Sequence, residues 1–586
     1  MAALETGQTP AERIELEIVR HKLAALTREM GAVVANSAQT WEIAEQRDFA
    51  LAIADRHGEL AAIDNPLQLG STTFALRAAL DAFRFDMKDG DVVALNDPHR
   101  GGTHVQDLTL VAPYVVDDAI AGYLVARGHM PDLGGEHAGG HHPAAREVWA
   151  EGVPITPVKL RRHDRPVRDV IATIALNSRR PEALLGNLDA LLAALRLGRR
   201  RGDELVGAHG IARVRAALDH AQGYAERRLR AALRGWADGG YDGERALDHD
   251  GAGGGPVHVR VRAEVDGDRL RLDFSGSDAE RASFVNSAFG NTVDHALGAL
   301  LALVDDDVPA NGGVLRAVEL RCAEGRVVNP RRPAAVGWGP EHCGREVAEA
   351  CAAALRQACG DGGGAGVGAI ASPRPLVTFR PRARRHERTS LTRLQTGGCS
   401  AADGRDGWGS PHLLSRAELP SVEQWEAEHG RRIVALRQLP DTAGAGRWRG
   451  APAVETVVEL TGEELLTLCA CGREIPVAGT AGGGDGGPAA VVLVEDGDGG
   501  GARDAPATVV EQPAAPGRIA IAVGGGGGWG DPHERDAELV LADVLDGIVT
   551  ATAAEAVYGV VIAGGAVDEA ATTRARAQRE ERNDGR

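Results

Sequence analysis

Residues 95–107 read Leu95-Asn-Asp-Pro-His-Arg-Gly-Gly-Thr-His-Val-Gln-Asp107, between two apolar runs, Asp91-Val-Val-Ala-Leu95 and Leu108-Thr-Leu-Val111. Pro98 and the Gly101-Gly102 pair break regular structure, and Asp97, His99, His104 and Asp107 are four groups able to hold a metal or move a proton. Polar groups held in a turn between two buried strands are the usual geometry of a site on a rigid scaffold. Two readings stand at this point: such a site, or a glycine turn with incidental surface histidines.

Working outward, a third apolar run, Ile120-Ala-Gly-Tyr-Leu-Val-Ala126, leads into Arg127-Gly-His-Met-Pro-Asp-Leu-Gly-Gly135 and then His137, His141 and His142. Six of the 19 histidines therefore fall between His99 and His142. Two turns at the ends of consecutive strands can converge in space. Imidazole and carboxylate together suit zinc, manganese or iron(II), whereas calcium and magnesium prefer oxygen shells. The spacing is not that of a zinc finger, and the chain has no His-Glu-x-x-His helix.

The rest of the chain reads as a large mixed α/β (α+β) protein of several layers. Thr9-Pro-Ala-Glu12 is a capping box, followed by an apolar helix stripe of Leu16, Val19, Leu23, Leu26 and Met30. Short apolar runs from Asp48 to about Lys159 predict a sheet-rich core carrying the histidines, and residues 168–237 predict a helical layer. Val257, Val259, Val261, Ala263 and Val265 alternate as on a strand, and helices are expected over 293–304 and 345–359. Gly360–Gly366 reads as a linker, and beyond Pro373 strands and glycine turns dominate. Gly479–Gly501 is expected to be loops, and the charged tail after Thr572 to be frayed. Three regions follow: 1–250 with the metal-binding core and helical layer, a central 251–370, and a strand-rich 371–586.

Composition narrows the function. With 586 residues and 43% hydrophobic content the chain can bury substantial cores, and no run of eighteen apolar residues predicts a membrane span. The start Met1-Ala-Ala-Leu-Glu lacks the order of a signal peptide, so cytoplasm is the expected location. A formal charge of -18 argues against nucleic acid, and arginine-rich runs such as Arg199–Arg201 and Arg380–Arg388 read as solvated surface. The 7 cysteines show no disulfide framework and are expected buried and reduced. Gly524–Gly530 lacks the Gly-Lys-Ser/Thr of a phosphate loop, leaving a structural turn or a loop near a site or interface. No Gly-x-Ser-x-Gly elbow is present, and the side chains of adjacent His342 and Cys343 would diverge on a strand. Hydrolysis by metal-activated water is the route left.

Asn96–Asp107, ending Gly-Gly-Thr-His-x-x-Asp, resembles the hallmark of the hydantoinase B/oxoprolinase family. The resemblance continues in order through Asp48–Asp55, Leu69-Gly-Ser71, His129-x-x-Asp132, Glu151–Lys159, Asp273–Ser277, Pro309–Gly313, Asn329–Pro333, Asp441–Gly450 and Gly524–Asp531. It implies a B-type subunit of an ATP-dependent enzyme that opens cyclic amides such as hydantoins or 5-oxoproline. Ketone carboxylase subunits share the fold and form the alternative, with a catalytically silent assembly subunit as a third reading. The resemblance further implies a hetero-oligomer in which an A-type partner binds ATP and phosphorylates the substrate, while this chain holds a divalent metal. Carried onto this sequence, it makes His104, Asp107 and His129 the metal ligands and Asp132 a further ligand or general base. Asp48 and Asp97 then orient ligands, with Asp48 a second catalytic candidate. Two departures stand out: Met130, where the family often has a second histidine, and His99, where tyrosine is common.

Overall fold

Alternation along the runs flanking the 95–107 turn decides which side chains meet. In the computed structural model these runs belong to an antiparallel sheet of β1 (Phe49–Asp55), β2 (Leu60–Ile63), β3 (Val92–Leu95), β4 (Asp107–Val116), β5 (Ala119–His129), β6 (Val158–Arg162) and β7 (Arg165–Pro166), ordered β2-β1-β5-β4-β3-β6-β7. The structure describes residues 9–584 except 84, 305–306, 360–375, 382–388, 391–396, 410–420, 461–463, 496–500 and 515. The expected linker at Gly360–Gly366 and most of the Arg380–Arg388 run lie outside the described residues.

β4 and β5 form a hairpin turned at Asp117-Asp118, both left-handed (φ 51° and 59°), the conformation whose twist matches paired strands. The ladder runs from Val116↔Ala119 to Asp107↔His129. Because side chains alternate across a sheet, Leu108, Leu110, Leu124 and Ala126 enter one core, while Val111, Tyr123 and Val125 enter another. Asp107, Arg127 and His129 belong to the second face.

The first face is covered by α1 (Pro10–Ser37), α2 (Trp41–Ala44), and, beyond α3 (Leu69–Phe83), α4 (Val148–Glu151) and α5 (Arg168–Leu176), by α6 (Pro181–His209) and α7 (Ile211–Leu233). The predicted capping box starts α1, and its stripe from Leu16 to Met30 packs with Leu184, Leu188, Leu191 and Leu195 of α6. Each such leucine contributes roughly 1.5–3 kcal/mol by leaving water. On the second face lie α3 and α8 (Phe289–Leu303).

The same core takes in a sheet of β8 (Gly239–Leu247), β9 (Val257–Asp266), β10 (Arg269–Asp273) and β11 (Val318–Arg321), ordered β11-β10-β9-β8. After α9 (Gly312–Ala317), α10 (Gly344–Cys359) lies against β8 and β9.

Two further sheets enclose a third core around Phe379, Trp425, Leu468 and Ile519. One comprises β12 (Leu376–Pro381), β13 (Thr389–Ser390), β16 (Glu464–Cys469) and β19 (Thr508–Ala514). The other comprises β14 (Arg432–Gln438), β15 (Val454–Leu460), β17 (Ala490–Glu495), β18 (Ala502–Asp504) and β20 (Gly517–Ala522). A low-complexity reading of 479–501 therefore misses β17, which pairs with β18 and β20. The run Ala-Val-Val-Leu-Val inside that glycine-rich stretch is a strand because its apolar residues have a core to enter. The tail likewise is helical over Glu569–Asp584, its alanines, arginines and glutamates being good helix formers.

Gly524–Gly530 is a packed ribbon. A β-carbon added at Gly526 would collide with the Cys399 carbonyl, and one at Gly528 with the Ala445 carbonyl. The Gly444 and Thr480 amides donate to the Gly526 and Gly528 carbonyls. The two glycine motifs of the C-terminal region, Asp441–Gly450 and Gly524–Asp531, are thus partners, backbone on backbone. All seven cysteines are free, and five are buried. Among the described residues, no helix is long and apolar enough to cross a membrane.

Candidate metal centre

Three strand ends converge: the start of β1, the start of β4 and the end of β5. The residue before β1, Asp48, accepts the His129 amide on its carbonyl at 3.1 Å, and its carboxylate lies 3.8 Å from His129 Nδ1. His129 Nδ1 lies 3.2 Å from Asp107 Oδ1, and His104 Nδ1 lies 3.7 Å from the same oxygen. The two imidazoles meet edge to face with centroids 5.0 Å apart. One ligand atom from each of His104, Asp107 and His129 falls within 4.8 Å of the others, and all three residues are buried.

The turn is held from both sides. Asn96 donates to the carbonyls of Val105 (2.7 Å) and Val153 (3.1 Å) and accepts the Ile155 amide. Asp97 caps the short 3-10 turn Pro98–Arg100 through the His99 amide and pairs with Arg332. His99 turns its Nε2 to the Ala334 carbonyl at 3.0 Å, not to the other imidazoles.

The electrostatics favour a cation. Burial drives the His104 pKa down to about 4, so the imidazole is neutral and carries a lone pair. Its Nδ1 is buried without a hydrogen-bond partner. Burial alone would raise the Asp107 carboxyl, but the Arg127 guanidinium and the hydrogen bond with His129 act against it, and the carboxyl lies well below the usual carboxylate range. Arg127, 1% exposed, donates Nη2 to Asp107 Oδ2 at 2.8 Å and to Thr103 Oγ1 at 2.6 Å. The Thr103 hydroxyl in turn donates to Asp107 Oδ2. Asp107 thus has one oxygen fixed from behind and the other turned to the histidines. Two imidazoles, one carboxylate and an orphaned imidazole nitrogen fit a divalent transition metal.

Other candidates fall elsewhere. Asp132 does not join the trio: it accepts from the amides of Gly134, Gly139 and Arg179 and from Arg179 Nη1 at 3.0 Å. Its carboxylate fastens the loop after β5 to the start of α6. Met130 points into the helix-covered core, fully buried, so this departure alters packing on the face away from the trio.

Sequence reasoning missed Arg127, Thr103, Asp294 and Glu151. Asp294 on α8 accepts the Gly70 and Ser71 amides at 2.6 and 3.0 Å, and burial raises its carboxyl to about 7. Glu151 is fully buried beneath the Val336 and Gly337 amides, and burial raises it to about 8. Thr103 and Glu151 lie inside segments that carry the resemblance, but no role was assigned to them there, and Arg127 and Asp294 were visible only as residue types.

This arrangement is a buried trio able to hold a metal, on a mixed α/β fold of several sheets. The chain belongs to the hydantoinase B/oxoprolinase family, whose family model matches residues 12–532. It is 30% identical to the beta subunit of caprolactamase from Pseudomonas jessenii over 577 residues, covering 95% of this chain and 98% of that one. It is 26% identical to the B component of a putative D-/L-hydantoinase from a Pseudomonas species, over 96% of this chain and 97% of that one. The crystal structure of ATP-dependent caprolactamase from P. jessenii superposes with a TM-score of 0.88 at 29% identity, covering 98% of this chain and 100% of that one. A nucleotide-free acetone carboxylase chain gives 0.86 at 16% identity, covering 98% of this chain and 84% of that one, a likeness of fold alone.

Proposed function

We propose that this chain is the metal-dependent, B-type component of an ATP-dependent enzyme that opens a cyclic amide, acting on a substrate phosphorylated by an A-type partner. The observation that carries this reading is the buried trio His104, Asp107 and His129, in a chain alike along nearly its whole length to a component of caprolactamase. His104, Asp107 and His129 would hold a zinc, manganese or iron(II) ion. Such an ion, when bound, supplies Lewis-acid polarisation of a carbonyl or phosphoryl oxygen.

The chain's own residues do the rest. Arg127 and Thr103 fix Asp107, leaving one oxygen for the ion. Asp48, partly exposed beside His129, accepts the proton of the attacking water on a carboxylate oxygen. Amide resonance makes the ring carbonyl a poor electrophile, and phosphorylating its oxygen removes that resonance; this accounts for the need for ATP in a hydrolysis. ATP is bound by the A-type partner, as the family resemblance implies. The complex is a hetero-oligomer acting in the cytoplasm.

The test is reconstitution with the A-type ATPase partner and assay against caprolactam, hydantoins and 5-oxoproline. ATP-dependent release of the ring-opened product, lost in His104→Ala and Asp107→Ala, is the expected result. ATP consumption that requires bicarbonate and a ketone, with no amide opened, would overturn it in favour of a carboxylase.

A further inference from the structure

Beyond the trio, the loop after β5 carries a second cluster. Glu136, His137 and His142 each place one ligand atom within 4.8 Å of the other two. His142 is 6% exposed and its Nδ1 is buried without a hydrogen-bond partner, while its Nε2 lies 2.9 Å from Glu136 Oε2. The His137 and His142 rings lie 3.9 Å apart, tilted by 45°.

The fourth group comes from a distant part of the chain. Glu511, on β19, places Oε1 2.8 Å from His137 Nδ1. Its backbone is left-handed (φ 46°), at the irregularity where β19 departs from regular pairing with β16. For glutamate this conformation is costly, and bulges of this kind re-aim a side chain. Arg380 pairs with the same carboxylate. An imidazole whose Nδ1–H is held by a carboxylate presents Nε2 as its ligand nitrogen, the arrangement seen behind metal-bound histidines. Mutual hydrogen bonding of two His–Glu pairs would account for the contacts, but not for the buried, unpartnered Nδ1 of His142.

We propose that Glu136, His137 and His142 bind a second divalent transition-metal ion, with zinc as the probe and with Glu511 orienting His137. This site ties the loop after β5 to the C-terminal sheet. The same loop carries His141, whose ring lies 6.2 Å from that of His104, so an ion in the outer cluster fixes the wall of the inner one. The inference does not depend on the reaction proposed above.

The full-length chain is loaded with zinc held by a weak chelator, desalted, and its metal counted per chain by mass spectrometry. Wild type is expected to bind two equivalents, and His104→Ala/Asp107→Ala and His137→Ala/His142→Ala one each. Retention of two equivalents by the His137→Ala/His142→Ala protein overturns the proposal, as does a His104→Ala/Asp107→Ala protein that binds none. A wild type binding one equivalent that survives His104→Ala/Asp107→Ala would support the outer site and count against the inner. Should the outer double variant not fold, cobalt(II) loading of His104→Ala/Asp107→Ala gives a second readout. Visible d–d bands that vanish on adding Glu136→Gln support the site, and bands that persist unchanged overturn it.

Discussion

Replacing Thr103 by valine keeps the shape of the side chain and removes one hydroxyl, which makes it the cleanest probe of how Asp107 is aimed. That hydroxyl, on a residue 5% exposed, donates to Asp107 Oδ2 and accepts from Arg127 Nη2 at 2.6 Å. Without it, Oδ2 keeps a single donor, Arg127 Nη2 at 2.8 Å. Arg127, whose Nε and Nη1 already lack partners, is left with that one bond. A hydrogen bond to a charged group contributes roughly 1.5–3 kcal/mol. Losing an outer partner of a metal ligand typically weakens binding about 10–100-fold, or roughly 1.4–2.8 kcal/mol, so the two scales agree. Thr103→Val should therefore raise the zinc dissociation constant at the inner site by about 10–100-fold, measured by competition with a chromophoric chelator in a background lacking His137 and His142. An affinity equal to that of the parent would refute the idea that the Arg127–Thr103 pair aims the carboxylate.

Three further outcomes follow from the same geometry. Glu151→Gln should flatten one part of the pH–stability profile. The folded pKa of about 8 lies above the ordinary 4.5, so the stabilisation is whole below pH 4.5 and is lost as pH rises to 8. At 1.36 kcal/mol per unit the span is about 5 kcal/mol, and melting curves of variant and wild type that stay parallel from acid to base would contradict it. Asp132→Asn should keep the inner metal, because Asp132 holds Arg179 and not the trio, while lowering stability by roughly 1–3 kcal/mol; loss of the metal would make Asp132 a ligand after all. Gly140→Ala meets both a left-handed φ of 74° and a clash with Gln106 Nε2. It should cost roughly 1–3 kcal/mol in denaturant unfolding, and an unchanged midpoint would show that the loop yields to a methyl group.

Much of the N-terminal architecture was legible because its signals are local. The capping box at Thr9 and the stripe from Leu16 to Met30 sit within one helix. The turn at 95–107 is bounded by two short apolar runs that became β3 and β4. His104, Asp107 and His129 were marked by residue type and by resemblance, and the fold brings all three together. Arg127 was not: its meaning depends on the register that sets it on the same face as Asp107, and register is a property of the pair of strands. Glu511 lies 374 residues from His137, and nothing local distinguishes it from any other glutamate on a strand. Asp132 is the opposite case, since in sequence a carboxylate able to bind metal and one that anchors a loop look alike, and only the fold places Arg179 against it. β17 was hidden by the glycines flanking it, whose composition outweighed five apolar residues in a row.

The β4–β5 ladder also bears on how the inner site comes into being. A hairpin closes from its turn, here Asp117-Asp118, and Asp107↔His129 is the last rung. Asp107 and His129 therefore meet only when every earlier rung is in register, and a slip of one residue would send them to opposite sides of the sheet. An ion bridging this rung would act as a clasp on the open end, worth about 2.7 kcal/mol at a hundredfold excess over the dissociation constant. Metal loading should accordingly slow amide exchange at the open end of the hairpin far more than at its turn.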